Sequence, residues 1–206
     1  TSQGPQSVAL GNQSGQNRQG SRSVAVGYQS AQSHQQVNSV AIGYRAGQTS
    51  QGSESVAIGY NALNAVTTSS NNTAVGHQAG NANTSGYGNT FIGHKAHYGN
   101  TTGNHNVAVG HDSAHYSQGR PLSGSENTYL GARTNSGTEA HSNQIVIGFE
   151  GRPSHSADTS HANFHHGHGT YSKIQLGQTS ITGSSDQRLK QNIADSTAGL
   201  AFINDL

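Results

Sequence analysis

"NSVAIGYRAGQ" spans residues 38–48. Its centre, Val40-Ala41-Ile42-Gly43, sets two β-branched residues on either side of a small one. Residues two apart share one face of a strand, and β-branched side chains favour extended backbone. The glycine that follows allows a tight bend. One copy would be a weak signal, but the pattern returns in both directions as "SVALG", "SVAVG", "SVAIG", "NTAVG", "NTFIG", "NVAVG", "NTYLG" and "QIVIG". The glycines are Gly11, Gly27, Gly43, Gly59, Gly76, Gly93, Gly110, Gly131 and Gly148, with spacings of 16, 16, 16, 17, 17, 17, 21 and 17. Near-constant spacing over nine copies is the mark of a repeat architecture, each copy one supersecondary unit. The spacing of 21 marks an insertion, read as the loop "YSQGRPLSG" at 116–124.

The columns of the repeat carry the fold. Before each glycine stands an aliphatic residue, and two places earlier a Val, Thr or Ile. The residue between them (Ala9, Ala25, Ala41, Ala57, Ala74, Phe91, Ala108, Tyr129, Val146) points the other way and is apolar too. A strand apolar on both faces is expected to be buried on both. One face can fill the inside of a coil. The other needs a covering layer, and no helical pattern offers one, so another copy of the same chain is the economical cover. Three residues past each glycine a small residue recurs (Ser14, Ser30, Ala46, Ala62, Ala79, Ala96, Ser113, Thr134), which lets a second strand pack closely. The expectation is an all-β parallel β-solenoid, one coil per repeat and two short strands per coil. At about 4.8 Å per coil it would form a rod of roughly 40–45 Å.

Composition agrees with ordered repetition. Only 30% of the 206 residues are hydrophobic and 9% charged, too few for a large round core. Disorder would bring high net charge or abundant proline, whereas the formal charge is +1 and there are three prolines. Cysteine is absent, which removes disulfides and thiolate zinc sites. No apolar run approaches the ~18 residues of a membrane span, and no signal-peptide pattern is seen. The start at Thr1 reads as a fragment or a processed product. Near-neutral, scattered charge argues against nucleic acid as a partner. Nine acidic residues, none paired in step with the repeat, argue against an enzyme acting on an external substrate.

The copy "NSVAIGYRAGQ" resembles the head repeats of trimeric autotransporter adhesins, and "NTAVGHQAGNANTSGYGNTFIGHKAHYGN" resembles repeats of phage and giant-virus fibre proteins. The likeness covers about residues 7–149 and implies a left-handed β-roll in an intertwined homotrimeric fibre. Residues 183–206, "GSSDQRLKQNIADSTAGLAFINDL", resemble the start of the endosialidase-type intramolecular chaperone domain of phage tail fibres. That resemblance implies a trimerisation aid that cuts itself off, with Ser185 as nucleophile, Lys190 as base and Asp186 following the scissile bond. A lysine held unprotonated can take the serine proton. The domain is incomplete here, so self-cleavage is expected only in a full-length parent. The plainer alternative is a charged helix start with Asp186 near its N-cap.

The chain is thus read as a β-roll (1–149), a short irregular neck (150–182) and a chaperone start (183–206). Its expected role is a structural trimeric fibre or tail-spike shaft on a virion surface, outside the cell, attaching to a host glycan or protein receptor. The alternative is a bacterial trimeric surface adhesin or extracellular filament subunit.

Two side-chain patterns are ligand candidates. The residue after the repeat glycine reads Tyr28, Tyr44, Tyr60, His77, His94, His111 through the middle copies. Such a ladder could bind carbohydrate or another flat ligand. Equally, it could simply stabilise stacked strands. Asn72, Asn89, Asn106 and Asn127 make a similar amide ladder, assigned structure only. "NTS" at Asn83 and "NTT" at Asn100 match glycosylation sequons. In the neck, "HANFHHGHGT" places His166 and His168 two apart, on one side of an extended strand. If that side faces a trimer axis, three chains deliver six nitrogens, an octahedral set suited to Fe2+ or Ni2+. The motif resembles the His-x-His pairs of long phage tail fibres. The alternative is a solvated polar neck.

Overall fold

The computed structural model describes residues 3–65, 69–114, 122–134 and 140–151, and the backbone of strands at 161–165, 171–175 and 181–183. Its strands are β1 (Val8–Leu10), β2 (Asn17–Gln19), β3 (Val24–Val26), β4 (Ser33–Gln35), β5 (Val40–Ile42), β6 (Val56–Ile58) and β7 (Thr73–Val75). They continue with β8 (Thr90–Ile92), β9 (Val107–Val109), β10 (Thr128–Leu130), β11 (Gln144–Gly148), β12 (His161–His165), β13 (Tyr171–Gln175) and β14 (Ile181–Gly183). No helix occurs among the described residues, so none there is long and apolar enough to cross a membrane.

The nine repeat strands stack in one parallel sheet, ordered β1-β3-β5-β6-β7-β8-β9-β10-β11. The register is column on column: Val24 pairs with Val40, Ala25 with Ala41, Val26 with Ile42, and so on up the stack. The chain is therefore a parallel β-solenoid. The middle residue of each repeat strand (β3 and β5 to β11) points inward and is 0–1% exposed, while its neighbours point outward. Opposite the inward alanines lies the small-residue column. Ser30, Ala46, Ala62, Ala79, Ala96, Ser113 and Thr134 are all fully buried. Two small columns face to face make a flat core one side chain thick, which is why so little Leu, Ile or Phe is needed.

The repeat glycines set the approach of one coil to the next. All nine have φ between 123° and 137°, a region closed to other L-residues. A Cβ on Gly43 would lie 2.7 Å from the Gly59 carbonyl oxygen, and one on Gly76 would lie 2.3 Å from that of Gly93. From Gly27 to Gly131 each repeat-glycine N–H donates to the strand below, for instance Gly43 N to Val26 O at 2.8 Å.

Coils are closed by buried amides. In the lower coils Gln19, Gln35 and Gln51 form a column. Gln35 Nε2 donates to Val24 O at 3.0 Å and to Gln51 Oε1 at 3.0 Å. In the 17-residue coils the asparagine ladder takes over. Asn89 donates from its backbone N and from Nδ2 to Asn72 Oδ1, at 3.0 and 3.1 Å. Asn106 N reaches Asn89 Oδ1 at 2.9 Å and Asn127 N reaches Asn106 Oδ1 at 3.0 Å. The structural assignment of this ladder stands. Asn83 and Asn100 form a second, shorter one, joined at 3.2 Å and fully buried, so neither sequon presents its amide for modification.

Two expectations need correction. Among the described residues the second strand of a coil forms only at β2 and β4, which pair with each other. In the later coils the described residues of that side are turns; the column at φ near 50° four residues past the glycine runs through all coils alike, from Gly15 and Ala31 to His97. The stretch read as an irregular neck also carries strands. β12 pairs in parallel with β11, His161 against Gln144, and β13 and β14 then turn back antiparallel. The insertion rejoins the coil at Leu122, which is 2% exposed and bridges to Asn100.

A Gly43→Ala substitution is expected to cost about 2–3 kcal/mol, since it combines forbidden φ with a backbone collision. Urea unfolding followed by circular dichroism measures this. A change within ~0.5 kcal/mol would contradict the close approach.

Candidate functional site

The side chain after each repeat glycine leaves the strand at the bend, so it stands one coil below its counterpart. The backbone sets the spacing. Arg45 N donates to Tyr28 O at 2.9 Å, Lys95 N to His77 O at 2.8 Å and Asp112 N to His94 O at 2.8 Å. Tyr28, Tyr44, Tyr60, His77, His94 and His111 consequently form a continuous stack. Their centroids are 5.4, 5.0, 4.9, 5.0 and 4.7 Å apart, and no two neighbours tilt by more than 15°. Arg45 adds a guanidinium 5.1 Å from the Tyr44 centroid.

This geometry decides what the ladder can offer. The ring faces are turned on one another, so a sugar or another flat ligand would approach the stack from its open side. The lower end of the stack carries phenol hydroxyls and the upper end imidazole nitrogens. The tyrosines are 37–45% exposed. Stacking of this kind contributes roughly 0.5–1.5 kcal/mol per pair, which accounts for the ladder as a strap along the coils.

Beside the ladder runs a column one residue further on: Gln29, Arg45, Asn61, Gln78, Lys95, Asp112. In the lower coils it carries no acid and is self-paired, with Arg45 Nε donating to Gln29 Oε1 at 2.8 Å. At Asp112 it turns acidic where both flanking ladder rings are histidines. Asp112 Oδ1 lies 3.6 Å from His94 Nδ1, and Oδ2 lies 3.3 Å from His111 Nδ1.

A second histidine environment lies inside the coils. Four residues past the repeat glycine the chain adopts φ near 50° and points inward, with Gly47, Leu63, Gly80, His97 and Ala114 in that column. Gly80 leaves room that the Phe91 ring fills, since a Cβ there would lie 2.4 Å from Phe91 Cδ2. His97 packs edge-on against Phe91 at 5.2 Å and Tyr129 at 5.7 Å. Its Nδ1 is buried without a hydrogen-bond partner. Burial lowers the His97 pKa to about 3, so the imidazole stays neutral in the native state. The sequence reading passed over this column. Its signal was a large residue appearing among glycines and alanines one coil from an enlarged Phe91 or Tyr129.

Of the other expected sites, His166 and His168 lie outside the described residues, as do Ser185, Asp186 and Lys190. No family model matches the chain, and no curated protein or solved structure matches it.

Because the His97 pKa is lowered on folding, the unfolded chain takes up a proton below pH 6.5 that the native chain refuses until about pH 3. Stability should fall through that window by up to ~1.4 kcal/mol per pH unit from this group. Denaturation of the parent and of His97→Leu between pH 7 and 4 measures it. The parent should lose stability more steeply, and parallel curves would contradict a neutral buried imidazole.

Proposed function

We propose that the chain is the structural shaft or head of a trimeric fibre, a left-handed β-roll whose three copies cover one another's outer sheet faces. The observation that carries this reading is the outward column pair of the nine-strand sheet. Val40 and Ile42, Val56 and Ile58, Val75, Ile92, Val107 and Val109, Leu130, Ile145 and Ile147 line one side of the stack. In the single chain Ile42, Ile92 and Leu130 are 37%, 40% and 46% exposed. A monomer rarely leaves so long an apolar strip to water. Burying each such side chain contributes ~1.5–3 kcal/mol, and a regular strip of stacked strands suits a partner with the same period. Three copies rather than two, and a virion or other extracellular setting, rest on the resemblances of the repeat and of "SSDQRLKQNI". The latter also favours a virion fibre over a bacterial adhesin. On this reading the C-terminal segment belongs to a chaperone that trimerises the chain and is released by cleavage between Ser185 and Asp186 in a longer parent. Attachment to a host surface would then be the work of an avid, threefold rod.

Light scattering after size exclusion tests the assembly. The expected mass is three times the 21.3 kDa chain. Ile42→Lys with Ile58→Lys should give a folded species of one chain mass, because two charges per copy would be buried unpaired. A parent chain that runs as a monomer, or a double variant that remains trimeric, would overturn the proposal.

A further inference from the structure

We propose that His94, His111 and Asp112 form a binding site for a single divalent transition-metal ion, of the Zn2+ or Ni2+ class, on the outer edge of the ladder. Both imidazoles turn the same nitrogen, Nδ1, toward one carboxylate, and the three ligand atoms lie within 4.8 Å of one another. Metal-bound nitrogen and oxygen sit about 2.0–2.2 Å from the ion. Adjacent donors are then about 3 Å apart, so an ion held by both would turn the two exposed rings out of their 12° stack. Asp112 contributes a second observation. Its Oδ1 is buried with no hydrogen-bond partner, an arrangement that a cation would satisfy. Its backbone N–H is anchored to His94 O at 2.8 Å, so ligand and coil are held together before any ion arrives.

The surrounding charges select the kind of ion. Lys95 and Arg133 flank Asp112 in the same column, and Arg133 Nη1 is paired to Glu150 Oε1 at 3.2 Å. One carboxylate beside a lysine is a poor site for Ca2+ or Mg2+, which want several oxygen ligands. Two imidazoles and one carboxylate instead suit a borderline transition ion and leave coordination positions open to water. The His94 and His111 side chains are 41% and 58% exposed, so an ion can enter. Such an ion would bridge two successive coils.

The test is calorimetric titration of the full chain with ZnCl2, in a His166→Ala, His168→Ala background that removes the other histidine pair. The expected result is one Zn2+ per chain. Asp112→Asn should weaken it at least about tenfold, and His94→Gln with His111→Gln should abolish it. His77→Gln is the control. It stacks on His94 at 5.0 Å but has no acid among its neighbours in that column, so it should leave Zn2+ affinity unchanged. Should a ligand variant fail to fold, NiCl2 added to the His166→Ala, His168→Ala chain should broaden the His94 and His111 imidazole proton resonances before those of His77 and His105. Equal affinity in Asp112→Asn, an equal loss in His77→Gln, or broadening that begins elsewhere would overturn the site.

Discussion

Each coil returns to the sheet one hydrogen-bonded spacing above the last, and it can do so only because a glycine at φ near 128° lets two backbones meet at the bend. That contact fixes the rise and the register together. Once they are fixed, every position in the repeat becomes a column, and like stands over like. The alanine column and the small-residue column meet inside. The amides line up to donate from one coil to the next, Asn72 through Asn127. The rings after the glycine have no choice but to stack at about 5 Å.

A fold of this kind separates architecture from chemistry. The inner columns tolerate little, since a flat core has room only for Ala, Ser or Thr unless a neighbour shrinks. Phe91 over Gly80 is such an exchange, and His97 between Phe91 and Tyr129 is another. Outer columns are free to change coil by coil. The ladder passes from tyrosine to histidine and the adjoining column from Gln29 and Arg45 to Asp112 without disturbing the register. Stability is then close to a sum over neighbouring coils, and a substitution should act mainly on its own rung and the two beside it. The outer sheet face is the exception. It stays aliphatic or β-branched along its whole length, with Thr73, Thr90 and Thr128 among Val, Ile and Leu, as expected of a surface whose partner repeats with it.

Much of this was legible in the residues alone. Period, strand positions, inward and outward faces, amide ladder and ring stack all follow from nine aligned glycines and the alternation around them. The failures have physical causes. A second strand per coil was inferred from small residues at the third position past the glycine, but small residues also suit tight turns, and turns are what the described residues of the later coils form. β12 was missed because "HANFH" has the polarity of a loop; its pairing with β11 comes from continuing a stack already formed, a tertiary effect invisible in local pattern. Asp112 was counted only among scattered acids. Its place beside His94 and His111 depends on knowing that the chain bends back one coil at a time.

The central claim is that coil number, not sequence distance, sets position along the rod. The chain has no cysteine, so spin labels can be placed at will. Arg22, Asn71, Glu126 and Asn143 occupy the same exposed turn position ahead of β3, β7, β10 and β11. Electron spin resonance distances from a label at Arg22, in samples diluted with unlabelled chain, should be about 14, 29 and 34 Å to the other three, following ~4.8 Å for each of three, six and seven coils. Distances that fail to rise in proportion to coil number would contradict the solenoid and everything built on it.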